Sequence, residues 1–309
     1  MHRLMYVALF CGLSATLVLG APHQGAEQRP TISVETDLVM LPVTVVDRRW
    51  EFVTGLTREQ FDVYDNGEKQ AVQFFTSEEM TATVGIVIDC STSMRARRDD
   101  VTAAATAFAR SAHPLDEMFS VNFNETVWQG LPPGVIFAAD VDQLHRALAR
   151  APALGMTALF DAVDRALDHL QLGTRDRKAL ILVSDGGDNA SAQTLRAVLG
   201  RARRGSAVIY SVTLTDPDSH DARPEVLRTL ARETGGDVFV PRRADDVMKA
   251  FTRIGQEIRS GYMLGFSPPT VANDGFRAIR VVANSGDGRQ LTVRTRAGYY
   301  AGPHDEGLR

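Results

Sequence analysis

The chain has little of what several function classes require. It contains two cysteines in 309 residues, Cys11 and Cys90. Cys11 lies inside an N-terminal apolar stretch, and removal of that stretch leaves Cys90 alone. A disulfide framework is then impossible, and Cys90 reads as a small buried residue rather than a reactive thiol. The seven histidines show no ligand spacing and no His-Glu-x-x-His run occurs, so a zinc site is not expected. No Gly-x-Ser-x-Gly elbow marks a serine hydrolase. The net charge is only −4, which gives no electrostatic reason to expect a nucleic-acid partner. The basic clusters at 95–98 and 201–204 are short and read as solvated helix faces. After residue 19, no apolar run is long enough to span a membrane.

What is present begins with a processing signal. His2 and Arg3 precede an apolar stretch from Leu4 to Leu19. Val18 and Gly20 supply the small-residue pattern of a cleavage site, so residues 1–21 are expected to be a signal peptide and the mature chain to be exported. The destination is the periplasm, the cell surface or the medium. Residues 22–30 read as a polar linker.

The most informative stretch is Val84-Gly85-Ile86-Val87-Ile88-Asp89-Cys90-Ser91-Thr92-Ser93. An apolar run of strand type, bounded by polar turn residues, reads as a strand buried on both faces. Ligands of open α/β sheets bind just past the carboxyl ends of such strands. Residues two apart project to the same side, so Asp89, Ser91 and Ser93 converge while Cys90 and Thr92 turn away. All three offer oxygen, which suits a hard divalent cation such as Mg²⁺. A nucleophile would need a base beside it, and no histidine is close in sequence.

Asp-x-Ser-x-Ser after a buried strand resembles the metal-ion-dependent adhesion site of von Willebrand factor A domains. Gly155-Met156-Thr157-Ala158-Leu159-Phe160-Asp161-Ala162 looks like the threonine loop of that family. Leu180-Ile181-Leu182-Val183-Ser184-Asp185-Gly186-Gly187 looks like its second aspartate strand. The resemblance implies that Thr157 and Asp185 complete the metal set of Asp89, Ser91 and Ser93. It also implies Mg²⁺, or Mn²⁺ or Ca²⁺, with an open position for a carboxylate of a protein partner presenting Asp or Glu. Asp188 is a further candidate, either as an outer-shell acceptor or as a solvated turn residue. Asp161 reads as capping or orienting its own helix.

From 82 to 258 strands and helices alternate, which argues a doubly wound, mostly parallel α/β sheet of von Willebrand factor A, Rossmann-like type. In the doubly wound order the first and fourth strands are neighbours at the reversal point. Asp89 follows the first and Asp185 the fourth, so topology alone predicts one crevice for both. Helices are expected at 95–112, from Asp140 to about 150, from the Thr157 loop to about 170, and at 191–203, 223–233 and 244–259.

The flanks are β-rich. Thr57 and Gln60 predict a capped helical turn. Asn66-Gly67 predicts a hairpin, with Gln73-Phe74-Phe75 closing it. Strands are expected at 262–267, 277–283 and 290–296, the last two around the turn 284–288. Neither flank is large enough for a good core alone. Residues 31–78 and 260–301 are therefore expected to form one smaller β-sandwich-like domain, with the A domain (79–259) inserted, and 302–309 to be a loose tail. Residues Leu56 to Phe61 and Gly298-Tyr299-Tyr300 resemble flanking stretches of bacterial proteins related to von Willebrand factor A.

These readings favour an exported, non-enzymatic, metal-dependent protein-binding module for adhesion or assembly. Two alternatives stay open. A structural metal site would unfold on metal removal, and a metal-assisted hydrolase would need a base near the metal.

Overall fold

The computed structural model describes residues 38–149, 154–214, 221–269 and 275–300. The expected signal peptide, linker and tail lie outside the described residues. The chain enters as β1 (Val39–Val46), then β2 (Phe61–Asp65), β3 (Glu68–Gln70) and β4 (Phe74–Thr76). The alternating region follows. It runs β5 (Ala82–Asp89), α1 (Arg98–Arg110), β6 (Glu117–Phe123), β7 (Val127–Gln129), α2 (Val141–Ala149) and α3 (Leu159–Leu170). It continues with β8 (Arg177–Ser184), α4 (Leu195–Arg204), β9 (Val208–Thr213), α5 (Pro224–Thr234), β10 (Val238–Phe239) and α6 (Ala244–Ser260). Strands β11 (Tyr262–Phe266), β12 (Phe276–Ala283), β13 (Thr292–Arg294) and β14 (Gly298–Tyr300) come last. No helix among the described residues is long and apolar enough to cross a membrane.

The central sheet has the order β10-β9-β8-β5-β6-β7, parallel except for β7. Every residue of β5 is buried, as its uninterrupted run of β-branched and small side chains requires. Alternate residues serve opposite layers. Val84, Ile86 and Ile88 face α1, α2 and α6, packed through Phe108, Leu144 and Phe251. Val87 faces α3, α4 and α5 through Leu159, Val198 and Leu230. The reversal of strand order falls between β5 and β8, paired from Ala82↔Arg177 to Ile88↔Val183. Their carboxyl ends therefore open side by side.

The flanks form two four-stranded antiparallel sheets, β13-β1-β11-β4 and β14-β12-β2-β3, each mixing strands from before and after the α/β part. Leu41, Val43, Leu264 and Phe266 of one sheet share a core with Phe61, Val63, Ile279 and Val281 of the other. The Phe61 and Tyr262 ring centroids are 4.9 Å apart. The Tyr262 hydroxyl donates to Val53 O at 2.8 Å and accepts from the Leu56 N–H at 3.1 Å. The fold is thus a doubly wound α/β sheet set into a β-sandwich built from both flanks.

Three local expectations differ from the structure. Gln73–Phe75 does not close the Asn66-Gly67 hairpin: β3 does, and β4 crosses to the other sheet to pair with β11. Strands β12 and β13 flank the 284–288 turn but enter different sheets, β12 beside β2 and β13 beside β1. In both cases the turn signal is local while the strand's partner is chosen by a distant apolar face. The first helix begins as a 3₁₀ segment at Thr92–Arg97 before α1 takes over. The Thr57 turn forms as expected, with its N–H donating to Gln60 Oε1 at 3.0 Å.

Candidate metal centre

At the carboxyl end of β5 the strand delivers Asp89, and the chain turns through Ser91 into the 3₁₀ segment. The turn is held locally, because the Ser91 N–H donates to Asp89 Oδ1 at 2.8 Å. The Ser91 and Ser93 hydroxyl oxygens lie 3.2 Å apart, and Ser93 Oγ donates to Asp185 Oδ2 at 2.9 Å. Asp185 is fixed in turn by the Gly187 N–H, which donates to its Oδ1 at 2.9 Å. Four of the five expected ligands thus stand in one hydrogen-bonded group. Cys90 turns away into the core, where burial pushes its thiol up to about 12.

Thr157 lies on a loop whose backbone is tied to its neighbours on both sides. Its N–H donates to Asn189 Oδ1 at 2.8 Å, and its carbonyl accepts from the N–H groups of Asn189 at 3.0 Å and Ala190 at 3.1 Å. On the other side the Leu154 N–H donates to Cys90 O at 2.9 Å. The threonine loop is therefore stitched both to the loop after β5 and to the loop after β8. Gly186 lies at φ +87, and a side chain there would meet the carbonyl of Arg223. Only glycine combines that φ with so close an approach.

Burial dominates the electrostatics. Asp89 is 2% exposed and Asp185 3%. Desolvation pushes the Asp89 carboxyl up to about 6, and the neighbouring Asp185 carboxylate pushes the same way. Hydrogen bonds from Ser184 and Ser91 pull it back in part. Two buried carboxylates and the hydroxyls beside them form a hard, anionic donor set, which fits a small divalent cation. No group of three or more His, Cys, Asp or Glu gathers around a possible metal position among the described residues.

Sequence reasoning missed Ser184. Its hydroxyl donates to Asp89 Oδ2 at 2.6 Å and accepts from the Gly186 N–H at 3.0 Å. The available signal was its place as the last residue of β8, paired beside the end of β5. Asp188 Oδ2 accepts from the Phe160 N–H at 2.9 Å and from Ser191 Oγ at 2.6 Å, at the start of α3. Asp161 does not cap its own helix. Its carboxylate accepts from the N–H groups of Ala192 at 2.9 Å and Gln193 at 2.8 Å, orienting the loop before α4.

No protein-family model matches the chain, and no curated protein matches it. Among solved structures, the chain is similar to a von Willebrand factor type A protein from Catenulispora acidiphila. The identity is 15%, covering 86% of this chain and 75% of that one, at a TM-score of 0.52. It is also similar to proximal thread matrix protein 1 from the mussel byssus. There the identity is 11%, over 59% of this chain and 49% of that one, at a TM-score of 0.50. A further structure of that mussel protein has a zinc-occupied adhesion-site motif; its identity is 15%, over 63% of this chain and 49% of that one, at a TM-score of 0.49. The α/β part has the von Willebrand factor A fold, and its ends open into a β-sandwich.

Proposed function

We propose that this chain is an exported, non-enzymatic binding module. Asp89, Ser91, Ser93, Thr157 and Asp185 hold a Mg²⁺-type ion, and that ion takes an Asp or Glu of a protein partner in adhesion or assembly. The observation that carries the reading is the convergence of Asp89, Ser91, Ser93 and Asp185 at the ends of the two central strands, where the doubly wound order reverses. Five protein oxygens would leave a six-coordinate ion one position, and two carboxylates only balance its charge, so that position would suit an anionic ligand. The protein's own residues do the rest. Ser184 and the Ser91 N–H orient Asp89, the Gly187 N–H orients Asp185, and Asn189 anchors the loop carrying Thr157. Export rests on the N-terminal sequence.

The test is Mg²⁺ and Mn²⁺ titration calorimetry on the mature chain beside Asp89→Ala and Thr157→Ala. The reading expects saturable binding by the wild type, weakened at least tenfold in both variants, with unchanged circular dichroism. A folded wild type that binds neither ion contradicts it. Unfolding of the wild type on EDTA treatment would move the assignment to a structural metal site.

A further inference from the structure

A cavity of about 370 Å³ opens between β10 and α6. Strand β10 is the outermost of the central sheet, two places from β8, and the residues that line the cavity are distinct from those of the candidate metal centre. The walls are Phe239, Val240 and Pro241 on the strand side and Lys249, Ala250 and Arg253 on the helix side. Pro241 and Ala250 are buried, whereas Val240 is 52% exposed. The free edge of an outermost strand can take a further strand, but here it is blocked. The Val238 N–H donates to Asp237 Oδ1 at 2.8 Å, and Asp237 Oδ2 is paired with Arg294. The cavity therefore suits an inserted side chain rather than an added strand.

The turn at 47–51 reaches the cavity through Arg253. That side chain donates to Trp50 O, and its guanidinium lies 3.6 Å from the centroid of the Phe52 ring. Trp50 has φ +63, a left-handed conformation that bulky side chains rarely adopt. The turn imposes it. The Trp50 N–H donates to Asp47 O at 3.0 Å, and Asp47 Oδ1 accepts from the N–H groups of Arg49 at 2.8 Å and Glu51 at 3.0 Å. Gly or Asn would hold this position with less strain. Trp50 stands there nevertheless and is 59% exposed, so burial does not repay the strain. Such strain clusters at functional surfaces such as ligand clamps.

The charge around the cavity is positive. Lys249 and Arg253 line it, and Arg48 and Arg49 stand exposed beside Trp50. Asp246, the acidic residue of the lining, is shared between Arg243 at 3.7 Å and Lys249 at 3.5 Å. Asp47 is used by its own turn, and Glu51 offsets one of the remaining cations. We propose that this cavity is a second partner site, which receives a large apolar side chain from an acidic segment of a protein. The apolar side chain packs on Phe239, Pro241 and Ala250 beside Val240, and Trp50 lies against the segment that carries it. Lys249 takes a flanking carboxylate. Its side chain is 73% exposed, and its pairing with Asp246 is a surface one that holds it weakly. The site uses no metal ion and stands apart from the reading above.

The test is run in EDTA, which keeps divalent ions from the candidate metal centre. The mature chain is passed over immobilised octapeptides with a central Phe or Ser, flanked by Glu or by Lys. The Phe peptide flanked by Glu is expected to be retained about tenfold better than the Ser–Glu and Phe–Lys peptides, and less so as NaCl is raised. The preference is expected to vanish in Val240→Ser/Lys249→Glu and to persist in Asp89→Ala. Trp50→Asn is expected to weaken retention while melting no lower than the wild type, which a merely structural tryptophan would not allow. Equal retention of all the peptides, or retention of none, overturns the proposal. So does a preference that survives in Val240→Ser/Lys249→Glu, that is lost in Asp89→Ala, or that is unchanged in Trp50→Asn. Adsorption to phosphatidylglycerol vesicles with no peptide preference overturns it in favour of a membrane surface. None of these outcomes alters the metal reading, which is decided by Mg²⁺ calorimetry.

Discussion

Ser93 Oγ donates to Asp185 Oδ2 at 2.9 Å across 92 positions of sequence, joining the loop after β5 to the end of β8. The contact makes a definite prediction. Asp185→Asn removes one of the two charges that would hold a cation, and Ser93→Ala removes one neutral oxygen. Mg²⁺ affinity is expected to fall at least about tenfold in Asp185→Asn, equivalent to roughly 1.4 kcal/mol, and less in Ser93→Ala. In EDTA the melting temperature of Asp185→Asn should equal or exceed that of the wild type, because a like charge beside Asp89 is gone. Calorimetry and thermal melts on the same samples check both statements. Undiminished Mg²⁺ binding by Asp185→Asn would remove that residue from the site.

Asp89 gives the metal-free protein a pH signature. Its folded value, about 6, stands above the ordinary 3.8, so the folded state holds the proton more tightly than the unfolded one. Stability from this group is fully present below about pH 4 and is lost as pH rises through 6. The loss amounts to no more than roughly 3 kcal/mol at about 1.36 kcal/mol per unit. Urea titrations in EDTA between pH 4 and 7 should show stability falling with pH at this group, and Asp89→Asn should flatten that component. Added Mg²⁺ at pH 7 is expected to restore stability to the wild type and not to the variant. An equal slope in Asp89→Asn would assign the pH dependence elsewhere.

The α/β part was legible because its signals are periodic and short-range. Buried strands such as 84–88 and amphipathic helices such as 244–259 announce themselves, and the doubly wound order then brings Asp89 and Asp185 together with no reference to any other protein. The sandwich was legible as β-structure but not as pairing. Nothing local says that Phe74 and Phe75 leave the Asn66-Gly67 hairpin for β11, or that β12 and β13 part into different sheets. Those choices are made by the shared core of Leu41, Phe61, Leu264 and Val281, which exists only once both flanks are present. At the site, oxygen ligands at alternate positions were readable, whereas Ser184 was not. Its role depends on the β5–β8 register rather than on its neighbours in sequence.

Arg294 and Glu257 form a buried charged contact between the sandwich and the last helix. Arg294 Nη2 donates to Glu257 Oε2 at 2.6 Å, and the same guanidinium pairs with Asp237. Glu257 is 0% exposed, and burial raises its carboxyl while Arg294 holds it down. Removing one partner of a buried pair leaves an uncompensated charge and costs about 3–5 kcal/mol. Arg294→Met is therefore expected to lower unfolding free energy by about that amount. Arg294→Met/Glu257→Leu should recover most of it, since an apolar replacement of the whole pair is often neutral. Chemical denaturation of the two variants decides, and a double variant no better than the single would mean that the surrounding packing, rather than the stranded charge, sets the cost.

The β-sandwich cannot be assembled from one flank. Strand β1 has β11 on one side and β13 on the other, both from beyond residue 260, and β2 takes β12 as its long partner. Among the described residues of 31–78, the strand pairing that stays internal is the short β2–β3 ladder and the isolated Val46–Phe52 bridge, and a lone two-stranded hairpin is marginal in water. The bonds of Tyr262 to Val53 and Leu56, and the tilted ring contact of Phe61 with Tyr262, are lost with the second flank. Asp65 loses more, because it is fully buried and its partners, Arg277 Nε at 2.8 and 2.9 Å and the Tyr299 hydroxyl at 3.0 Å, all come from the other end of the chain. Expressed alone, residues 31–78 are expected to show no cooperative thermal or urea transition and amide shifts close to random coil. A stable, cooperatively unfolding fragment would contradict the shared sandwich and make the N-terminal flank a domain of its own. Within the full chain, Asp65→Ala is expected to destabilise through the stranded Arg277 without altering Mg²⁺ affinity, because its partners Arg277 and Tyr299 belong to the sandwich strands and not to the loops after β5 and β8.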